Sequence, residues 1–375
     1  MAFFTLHGAR DRFVSALTAL MLVFGLSMPP GTAQTAGSAS KPSPTIEARR
    51  RFFGSSNVDP TSGAVRPDRV IMSWFSVASY AAAVNGHVVL LDAWVARGSH
   101  SGYVPTSPKE VAALRPEYIF IGHGDFDHAA DTAQIAKLSG AKIVGTPEHC
   151  DSVREQAGEK LPCVFVGPPG APAGHVKRLN LIPGVGITAV QHIHSSVESP
   201  QPEGDRLPCP PLWNPQDTGE HPPTADDLEH VFRHLPDARG GNVLYQFRIG
   251  DFSFVHHDTT GKIDTDAPQV VDILKSLPET DVQFGAVLAF GQVTNCLRSL
   301  GTYIRALRPK VFAATHYDNF TFAIGANAED LEPYVREELA RIPKRVRPKL
   351  LYSYDPKDYI NPDPFIFNPR ARAWR

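Results

Sequence analysis

The sequence predicts an α/β fold, because short apolar strands alternate with helical segments along two stretches of the chain. The first stretch, 70–144, begins with strand-like runs at 70–75 and 87–92 and continues with helices and strands in turn. The second stretch, 176–352, repeats that order. Histidines and aspartates stand at the ends of several of these strands. The pattern therefore predicts two similar halves with polar side chains gathered at strand ends.

Composition sets the broad class of the protein. With 375 residues, of which 42% are hydrophobic and 20% are charged, the chain can bury a large core. The formal net charge is −2 and the sequence contains no long basic run. Nucleic acid is therefore excluded as an expected partner.

Residues 1–36 have the pattern of a secretory signal peptide. Arg10 and Arg12 precede an apolar run at 13–28, and small residues follow it. An uncleaved anchor is the alternative, but the run is shorter than a typical membrane span. We expect a secreted protein, exported to a bacterial periplasm, with no integral membrane span after cleavage of the signal.

Two further segments lie outside the alternating pattern. Residues 37–67 are rich in Ser, Gly, Pro and Arg and predict a loosely ordered leader before a domain that spans 68–375. Residues 198–223 contain eight prolines and show no apolar periodicity. This segment is too long for an ordinary connection and predicts a surface insertion or a lid over the site. Thr224 and Asp227 then have capping-box spacing and predict a short helix.

The sequence contains four cysteines, at positions 150, 163, 209 and 296. An oxidising compartment permits disulfides, and four cysteines allow three pairings. We favour Cys150 with Cys163, because the segment between them is short and polar. Four buried thiols are the alternative.

The densest group of metal-ligating residues directly follows the apolar run 118–121. It is His123-Gly-Asp125-Phe-Asp127-His128. Residues two apart in an extended segment point the same way, so His123, Asp125 and Asp127 can converge, and His128 joins them if the chain turns. Nitrogen and oxygen donors together suit hard or borderline divalent metals. A solvated turn between a strand and a helix is the alternative.

Three more clusters of ligand-type residues follow predicted strands. They are His192 with His194, then His256, His257 and Asp258, and finally His316. A lone histidine is more often hydrogen-bonded or exposed than a ligand. Four strand-end clusters in one chain together indicate a metal centre.

The order of these motifs resembles the metallo-β-lactamase superfamily over residues 68–353. Segments 73–80, 90–94 and 307–311 are most similar to the branch of ascorbate-6-phosphate lactonases and N-acylphosphatidylethanolamine phospholipases. The resemblance implies an αββα sandwich that holds two divalent metal ions, normally zinc, in a groove between the sheet edges.

The resemblance also implies a role for each ligand. It assigns the first metal to His123, Asp125 and His194, with His192 as the alternative to His194. It assigns the second metal to Asp127, His128 and His316, with Asp258 bridging both ions. Asp92 matches a position that orients the first histidine, although a turn cap would explain it equally.

Two positions depart from the superfamily pattern. His is usual in place of Asp125, and Gly is usual in place of His257. With three aspartates and a bridging hydroxide, two divalent ions form a neutral cluster rather than one of charge +1. Harder oxygen ligation also favours iron or manganese, and the neutral cluster predicts an alkaline activity optimum.

The function predicted on this basis is a binuclear hydrolase. A metal-bridging hydroxide would attack a small-molecule ester, lactone or phosphodiester. Asp127 would orient the hydroxide and carry a proton. Tyr317 and Asn319 are candidates for an oxyanion or substrate contact, with plain loop polarity as the alternative. A di-iron redox protein and a non-catalytic metal-binding protein are the competing interpretations.

Overall fold

The fold is built from two β-sheets of seven strands each. A computed structural model describes residues 43–95, 106–196, 222–287, 297–318, 328–353 and 358–369. All of them belong to one unit of the chain, Pro42–Arg375. The predicted signal peptide and nearly all of the proline-rich segment lie outside the described residues.

The first sheet is formed mainly by the first half of the chain. Its strands are β1 (Val70–Ser76), β2 (Ser79–Val84), β3 (His87–Leu91), β4 (Tyr118–Phe120), β5 (Lys142–Gly145), β6 (Cys163–Phe165) and β14 (Ile366–Phe367). The order across the sheet is β14-β1-β2-β3-β4-β5-β6. The strands from β14 to β3 are antiparallel to their neighbours, and those from β3 to β6 are parallel.

The second sheet repeats this arrangement. Its strands are β7 (Val176–Ile182), β8 (Val185–His192), β9 (Asn242–Ile249), β10 (Phe252–His257), β11 (Val282–Ala286), β12 (Val311–Thr315) and β13 (Lys349–Leu351), and they lie side by side in chain order. The strands from β7 to β10 are antiparallel, and those from β10 to β13 are parallel. The predicted similarity of the two halves is confirmed at the level of topology.

Helices lie between the strands in sequence. They are α1 (Pro44–Phe53), α2 (Pro108–Ala113), α3 (Phe126–Ala129), α4 (Thr132–Ser139), α5 (Pro147–Ala157), α6 (Ala225–His234), α7 (Pro268–Ser276), α8 (Arg298–Leu307) and α9 (Ala328–Ala340). None of the helices in the described ranges is both long enough and apolar enough to cross a membrane.

The two sheets pack face to face through aromatic side chains. The ring of Phe120 in β4 lies 5.2 Å from that of Tyr245 and 5.0 Å from that of Phe247, both in β9. Such edge-to-face pairs add to the free energy gained by burying apolar area. Helices α7 and α8 cover the outer face of the second sheet by packing on Val190, Leu244 and other buried side chains.

Helices also cover the first sheet, where α1 contacts β1 and α5 contacts β5. The resulting layer order is helix, sheet, sheet, helix. The αββα sandwich predicted from the sequence is therefore confirmed.

The leader expected over 37–67 is not loosely ordered where the structure describes it. Ser43 caps helix α1 by accepting a hydrogen bond from the backbone N–H of Ile46 at 3.3 Å. Phe52 and Phe53 at the end of the helix are fully buried in the core. The prediction failed because Arg and Ser dominate the composition, while one apolar pair is enough to anchor a short helix.

Two local predictions are confirmed. Thr224 Oγ1 accepts a hydrogen bond from the backbone N–H of Asp227, and Asp227 Oδ2 accepts one from that of Thr224, which completes the capping box of α6. A disulfide joins Cys150 and Cys163. Helix α5, which carries Cys150, was not predicted.

The turn between β1 and β2 connects the two sheets beside the strand ends of the second. The carbonyl of Val77 accepts a hydrogen bond from the backbone N–H of His316 at 3.0 Å, and the N–H of Val77 donates to Asp318 Oδ2 at 2.8 Å. Nε2 of His256 lies 2.9 Å from the carbonyl oxygen of Ala78. This turn fixes how β10 and β12 meet the first sheet.

Burial of Phe52 predicts a large stability effect from a residue of the supposed leader. Phe52→Ala should lower the free energy of unfolding by about 3–5 kcal/mol, since it leaves a cavity in the core. Phe165→Ala is the matched control, because that ring is 46% exposed and its loss should change stability by about 0.5 kcal/mol or less. Urea unfolding of both variants provides the measurement, and equal midpoints would contradict the packing of α1.

Candidate metal centre

The seven side chains predicted as metal ligands lie together where strands of both sheets end. His123 lies just after β4 of the first sheet. The start of α3 carries Asp125, Asp127 and His128. The other three side chains follow strands of the second sheet, namely His194 after β8, Asp258 after β10 and His316 after β12. Neighbouring parallel strands end at the same edge of a sheet, which brings residues from distant parts of the chain to one place.

Three of these side chains form the first group: His123, Asp125 and His194. Nε2 of His123 lies 3.2 Å from Nε2 of His194, and each nitrogen is 3.5 Å from Asp125 Oδ2. Nδ1 of His194 is 2.6 Å from the carbonyl oxygen of Ser195, which assigns the proton to Nδ1 and leaves a lone pair on Nε2. That lone pair faces the other two donors of the group.

The second group consists of Asp127, His128 and His316, and it is more deeply buried. Nε2 of His128 lies 3.0 Å from Nε2 of His316. Asp127 Oδ2 is 3.4 Å from the first of these nitrogens and 3.3 Å from the second. Two imidazole nitrogens and a carboxylate oxygen therefore converge here as well.

Asp258 lies between the two groups and is completely buried. Its Oδ2 is 2.7 Å from Nδ1 of His123 and 3.5 Å from Nδ1 of His128. Its Oδ1 is buried and has no hydrogen-bond partner among the residues that the structure describes. A buried carboxylate oxygen without a partner is costly, and a cation would satisfy it. The donor set therefore fits divalent metal ions.

Gly122 allows Asp258 to approach the first sheet. A Cβ atom at position 122 would lie 2.0 Å from Asp258 Oδ2 and 2.2 Å from its carboxyl carbon. Every residue other than glycine would displace the carboxylate. The sequence suggested no role for this glycine.

Asp92 contacts a different histidine from the one expected. Its Oδ2 lies 3.0 Å from Nδ1 of His128, whereas His123, the first histidine of the motif, contacts Asp258. Its Oδ1 accepts a hydrogen bond from the backbone N–H of Gly122 at 2.8 Å. Asp92 thus holds the ring of His128 so that Nε2 faces Asp127 and His316, and it also fixes the position of Gly122.

The three remaining histidines of the strand-end clusters lie outside the metal-type groups. Nδ1 of His192 is 2.8 Å from the hydroxyl of Tyr303, which turns this ring toward α8 and leaves His194 in the first group. Nδ1 of His257 is 3.0 Å from the carbonyl of Thr259, and its Nε2 accepts from Gln283 at 2.8 Å. His256 contacts the turn after β1. These rings serve the packing of the second sheet.

The structure contradicts the predicted role of Tyr317. Its hydroxyl donates to the carbonyl of Ser353, and its ring stacks on Tyr352 at 4.8 Å, so the side chain is buried away from the metal groups. His316 adopts a left-handed backbone conformation, with φ of 64°, and the chain then turns Tyr317 into the core. Asn319 lies outside the described residues.

Arg239 is a neighbour of the centre that the sequence did not reveal. Its guanidinium donates to both oxygens of Asp125, with N–O distances of 2.9 to 3.0 Å. In the sequence, the segment Ala238-Arg239-Gly240-Gly241 indicates only a turn, and no feature of this segment points to a contact with position 125. Arg239 adds one positive charge beside the three aspartates. The expected sum of ligand charges leaves out this charge, and it also leaves out Asp92, which contacts His128. The alkaline optimum stays a prediction.

Protons stabilise the centre when no metal ion is bound. Burial lowers the pKa of His123, but the charge of Asp258 and hydrogen bonds to Asp125 and Asp258 raise it to about 9. Burial also lowers the pKa of His128, but the negative charges of Asp127 and Asp258 outweigh this effect and hold the pKa well above its usual value. Burial together with the charges of His123 and Arg239 lowers the pKa of His194 to about 3. The pKa of His194 is thus shifted in the opposite direction from the pKa values of His123 and His128.

Fold and site together define an αββα protein whose strand ends form two adjoining groups of metal-type ligands. No family model matches the sequence. A UPF0173 metal-dependent hydrolase from Pyrobaculum neutrophilum is 41% identical over 83 residues, which cover 22% of this chain and 35% of the relative. The chain thus matches about a third of the length of the first relatives found.

A longer alignment joins the chain to a UPF0173 metal-dependent hydrolase from Anaeromyxobacter dehalogenans. The two are 25% identical over 274 residues, which cover 70% of this chain and 80% of the relative. Among solved structures, the chain is similar to Igni18, a metallo hydrolase from Ignicoccus hospitalis, with a TM-score of 0.49 and 13% identity over 76% of this chain and 95% of that one.

The similarity to relatives named as metal-dependent hydrolases and the two-sheet topology agree with the resemblance to the metallo-β-lactamase superfamily. The branch of the superfamily stays a prediction.

The close approach at Gly122 predicts that Gly122→Ala disrupts the centre without unfolding the chain. The added methyl group would displace Asp258 from between His123 and His128. We expect the variant to keep the circular dichroism spectrum of the parent and to lose at least half of its bound metal in elemental analysis. Gly186→Ala in β8, where the added Cβ would approach no atom closer than Arg248 Cβ at 4.0 Å, is the control. Full metal content in Gly122→Ala would refute the geometry.

The raised pKa values of His123 and His128 predict proton release on metal binding. A metal ion needs neutral imidazole, so ions entering near neutral pH must displace these protons, and the affinity should rise as the pH approaches about 9. Calorimetric titration of the metal-free protein with Zn²⁺, in two buffers of different ionisation enthalpy, counts the protons released. A count of zero near neutral pH would disprove the assignment.

Proposed function

We propose that this protein is a metal-dependent hydrolase with a binuclear centre. The observation that carries the proposal is Asp258, a fully buried carboxylate with one unpartnered oxygen, placed between two groups that each contain two imidazoles and an aspartate. Relatives named as metal-dependent hydrolases support it. Buried carboxylates that converge without other compensation are typical of metal sites.

In this proposal, each ligand group holds one ion. His123, Asp125 and His194 would hold the first, and Asp127, His128 and His316 would hold the second, with Asp258 as the candidate ligand that the two would share. Two divalent ions so held supply Lewis-acid polarisation of the scissile bond and an acidified water. Zinc suits the histidine content, and iron or manganese suits the three carboxylates.

The protein itself orients the reacting groups. Asp92 fixes the ring of His128, and the carbonyl of Ser195 fixes that of His194. We propose that Asp127, which is buried beside His128 and His316, orients the attacking water and receives its proton. A carboxylate that contacts two imidazoles stays ionised, as its strongly lowered pKa indicates, and is therefore ready to accept a hydrogen bond.

The substrate proposed is a small molecule with an ester, lactone or phosphodiester bond. His194 and Asp125 are about one-quarter exposed, while the second group is nearly enclosed, so access to the centre is from the side of the first group. Export to a periplasm, inferred from residues 1–36, belongs to the same proposal. The disulfide between Cys150 and Cys163 is compatible with an oxidising compartment.

The decisive variant is Asp258→Asn, which keeps the size of the side chain and removes its charge. It should lower hydrolysis of chromogenic esters, lactones or phosphodiesters by about a hundred-fold or more and should also reduce metal content. Asp266→Asn, at an exposed position of the loop before α7, should leave both unchanged. The panel is run with zinc, manganese and iron.

Two results would refute the proposal. One is Asp258→Asn turning over substrate as fast as the parent. The other is parent protein that contains stoichiometric iron with a strong visible charge-transfer band and hydrolyses none of the panel, which would identify a di-iron redox protein.

A further inference from the structure

Arg239 is an unusual neighbour for a metal ligand, because it carries the same sign of charge as the ion. Its Nε lies 3.0 and 2.9 Å from the two oxygens of Asp125, and its Nη2 lies 2.9 Å from Oδ2. The same Oδ2 is 3.5 Å from Nε2 of both His123 and His194. One carboxylate is therefore shared between a guanidinium and a group of metal-type ligands.

The backbone around Arg239 is firmly held. The carbonyl of Arg239 accepts hydrogen bonds from the backbone N–H of Gly124 at 2.7 Å and from Nε2 of His149 at 3.0 Å. Nδ1 of His149 accepts a hydrogen bond from the backbone N–H of Thr146 at 3.2 Å, which places the proton on Nε2. A Cβ at Gly124 would lie 2.3 Å from the carbonyl oxygen of Ala238, so the loop and the metal-ligand motif fit closely.

This anchoring shows that the contact between Arg239 and Asp125 is built into the fold. The Arg239 side chain is 49% exposed, and an ion pair at such a position by itself contributes little to stability. Because His149 of α5 and Gly124 of the ligand motif hold the main chain of Arg239, its side chain extends from a point next to Asp125. The two-point geometry then holds the carboxylate in one orientation.

A guanidinium bound to both oxygens weakens a carboxylate as a metal ligand. It draws negative charge from the oxygens, and it repels the incoming ion directly. The carboxylate of the second group differs in this respect, because Asp127 contacts only His128 and His316 among the interactions found in the described part of the chain. The two groups, similar in their donors, therefore differ in electrostatics.

We propose that Arg239 is the charge-balancing partner of Asp125 and makes the His123–Asp125–His194 group the weaker of two metal positions. The inference rests on the proposed function, in which this group holds an ion. Metal loading is then stepwise, with the buried group filled first and the accessible group second. The accessible ion exchanges more readily and depends on Arg239.

The test measures Zn²⁺ affinity of the metal-free protein by competition with a chromophoric chelator at fixed pH. The parent should bind one equivalent tightly and a second more weakly. Arg239→Gln removes the charge and keeps a hydrogen-bonding group, so it should tighten the second equivalent about ten-fold. The first equivalent should not change. Damage to the fold would weaken binding, so a gain identifies the charge effect.

Two further variants separate charge from other roles. Arg239→Lys keeps the charge and should remain within about three-fold of the parent. Arg248→Gln removes an arginine whose Nε donates to the carbonyl of Gly250 in the turn after β9, far along the sheet from the metal groups, and should have no effect. Circular dichroism of each variant confirms folding.

A double-mutant cycle tests whether Arg239 acts through Asp125. In the Asp125→Asn background, only the direct repulsion between Arg239 and the ion remains, so Arg239→Gln should tighten the second affinity by clearly less than ten-fold. An equal ten-fold gain in that background would overturn the pairing. Unchanged or weaker binding by Arg239→Gln in the parent would overturn the inference as a whole.

The outcomes distinguish this inference from the proposed function. A parent protein that binds less than one equivalent of Zn²⁺ refutes the metal centre itself. A parent that binds two equivalents, with the same affinities in Arg239→Gln, keeps the centre and refutes only the role of Arg239.

Discussion

The central constraint in this structure is the burial of negative charge between two sheets. Asp258 is fully buried with one oxygen unpartnered among the described residues, and Asp127 and Asp92 lie close by with little or no exposure. Carboxylates in such a place raise the free energy of the folded state unless cations or protons compensate them. Protonated His123 and His128 compensate without metal, and divalent ions do so in the proposed enzyme.

The fold accommodates these buried carboxylates because specific backbone contacts fix the geometry around the strand ends. Gly122 leaves room for the carboxylate of Asp258, and the turn at Val77 ties β12 to the first sheet. Hydrogen bonds at Nδ1 of His123, His128 and His194 determine which nitrogen of these three rings faces the centre. Ligand geometry thus depends on backbone contacts that are themselves parts of the two sheets.

Charge around the centre is set by a loop that contributes no ligand. The segment around Arg239 is bound by His149 of α5 and by Gly124 of the ligand motif itself. Asp125 therefore meets a guanidinium on one side and imidazoles on the other. The net charge of a metal site follows from every ionised group in contact with the ligands, and a count of ligands alone leaves out Arg239.

The sequence by itself determined the layered α/β class, the repeated order of strands and helices, and the residues of the metal-type groups. Alternation of apolar runs and the clustering of His and Asp after strands are local patterns, and local patterns are visible along a chain. The choice of His194 over His192 also agreed with the structure, because only the later side chain lies beyond the end of β8.

Only the tertiary structure decided the partners of those residues. The contacts of Asp92 with His128, Asp258 with Gly122, and Arg239 with Asp125 join positions that are 36, 136 and 114 residues apart. Such pairs are fixed by sheet order and packing, which leave no periodic trace in the sequence. Burial of Tyr317 and docking of α1 have the same origin, since each depends on surfaces that exist only after the sheets have packed.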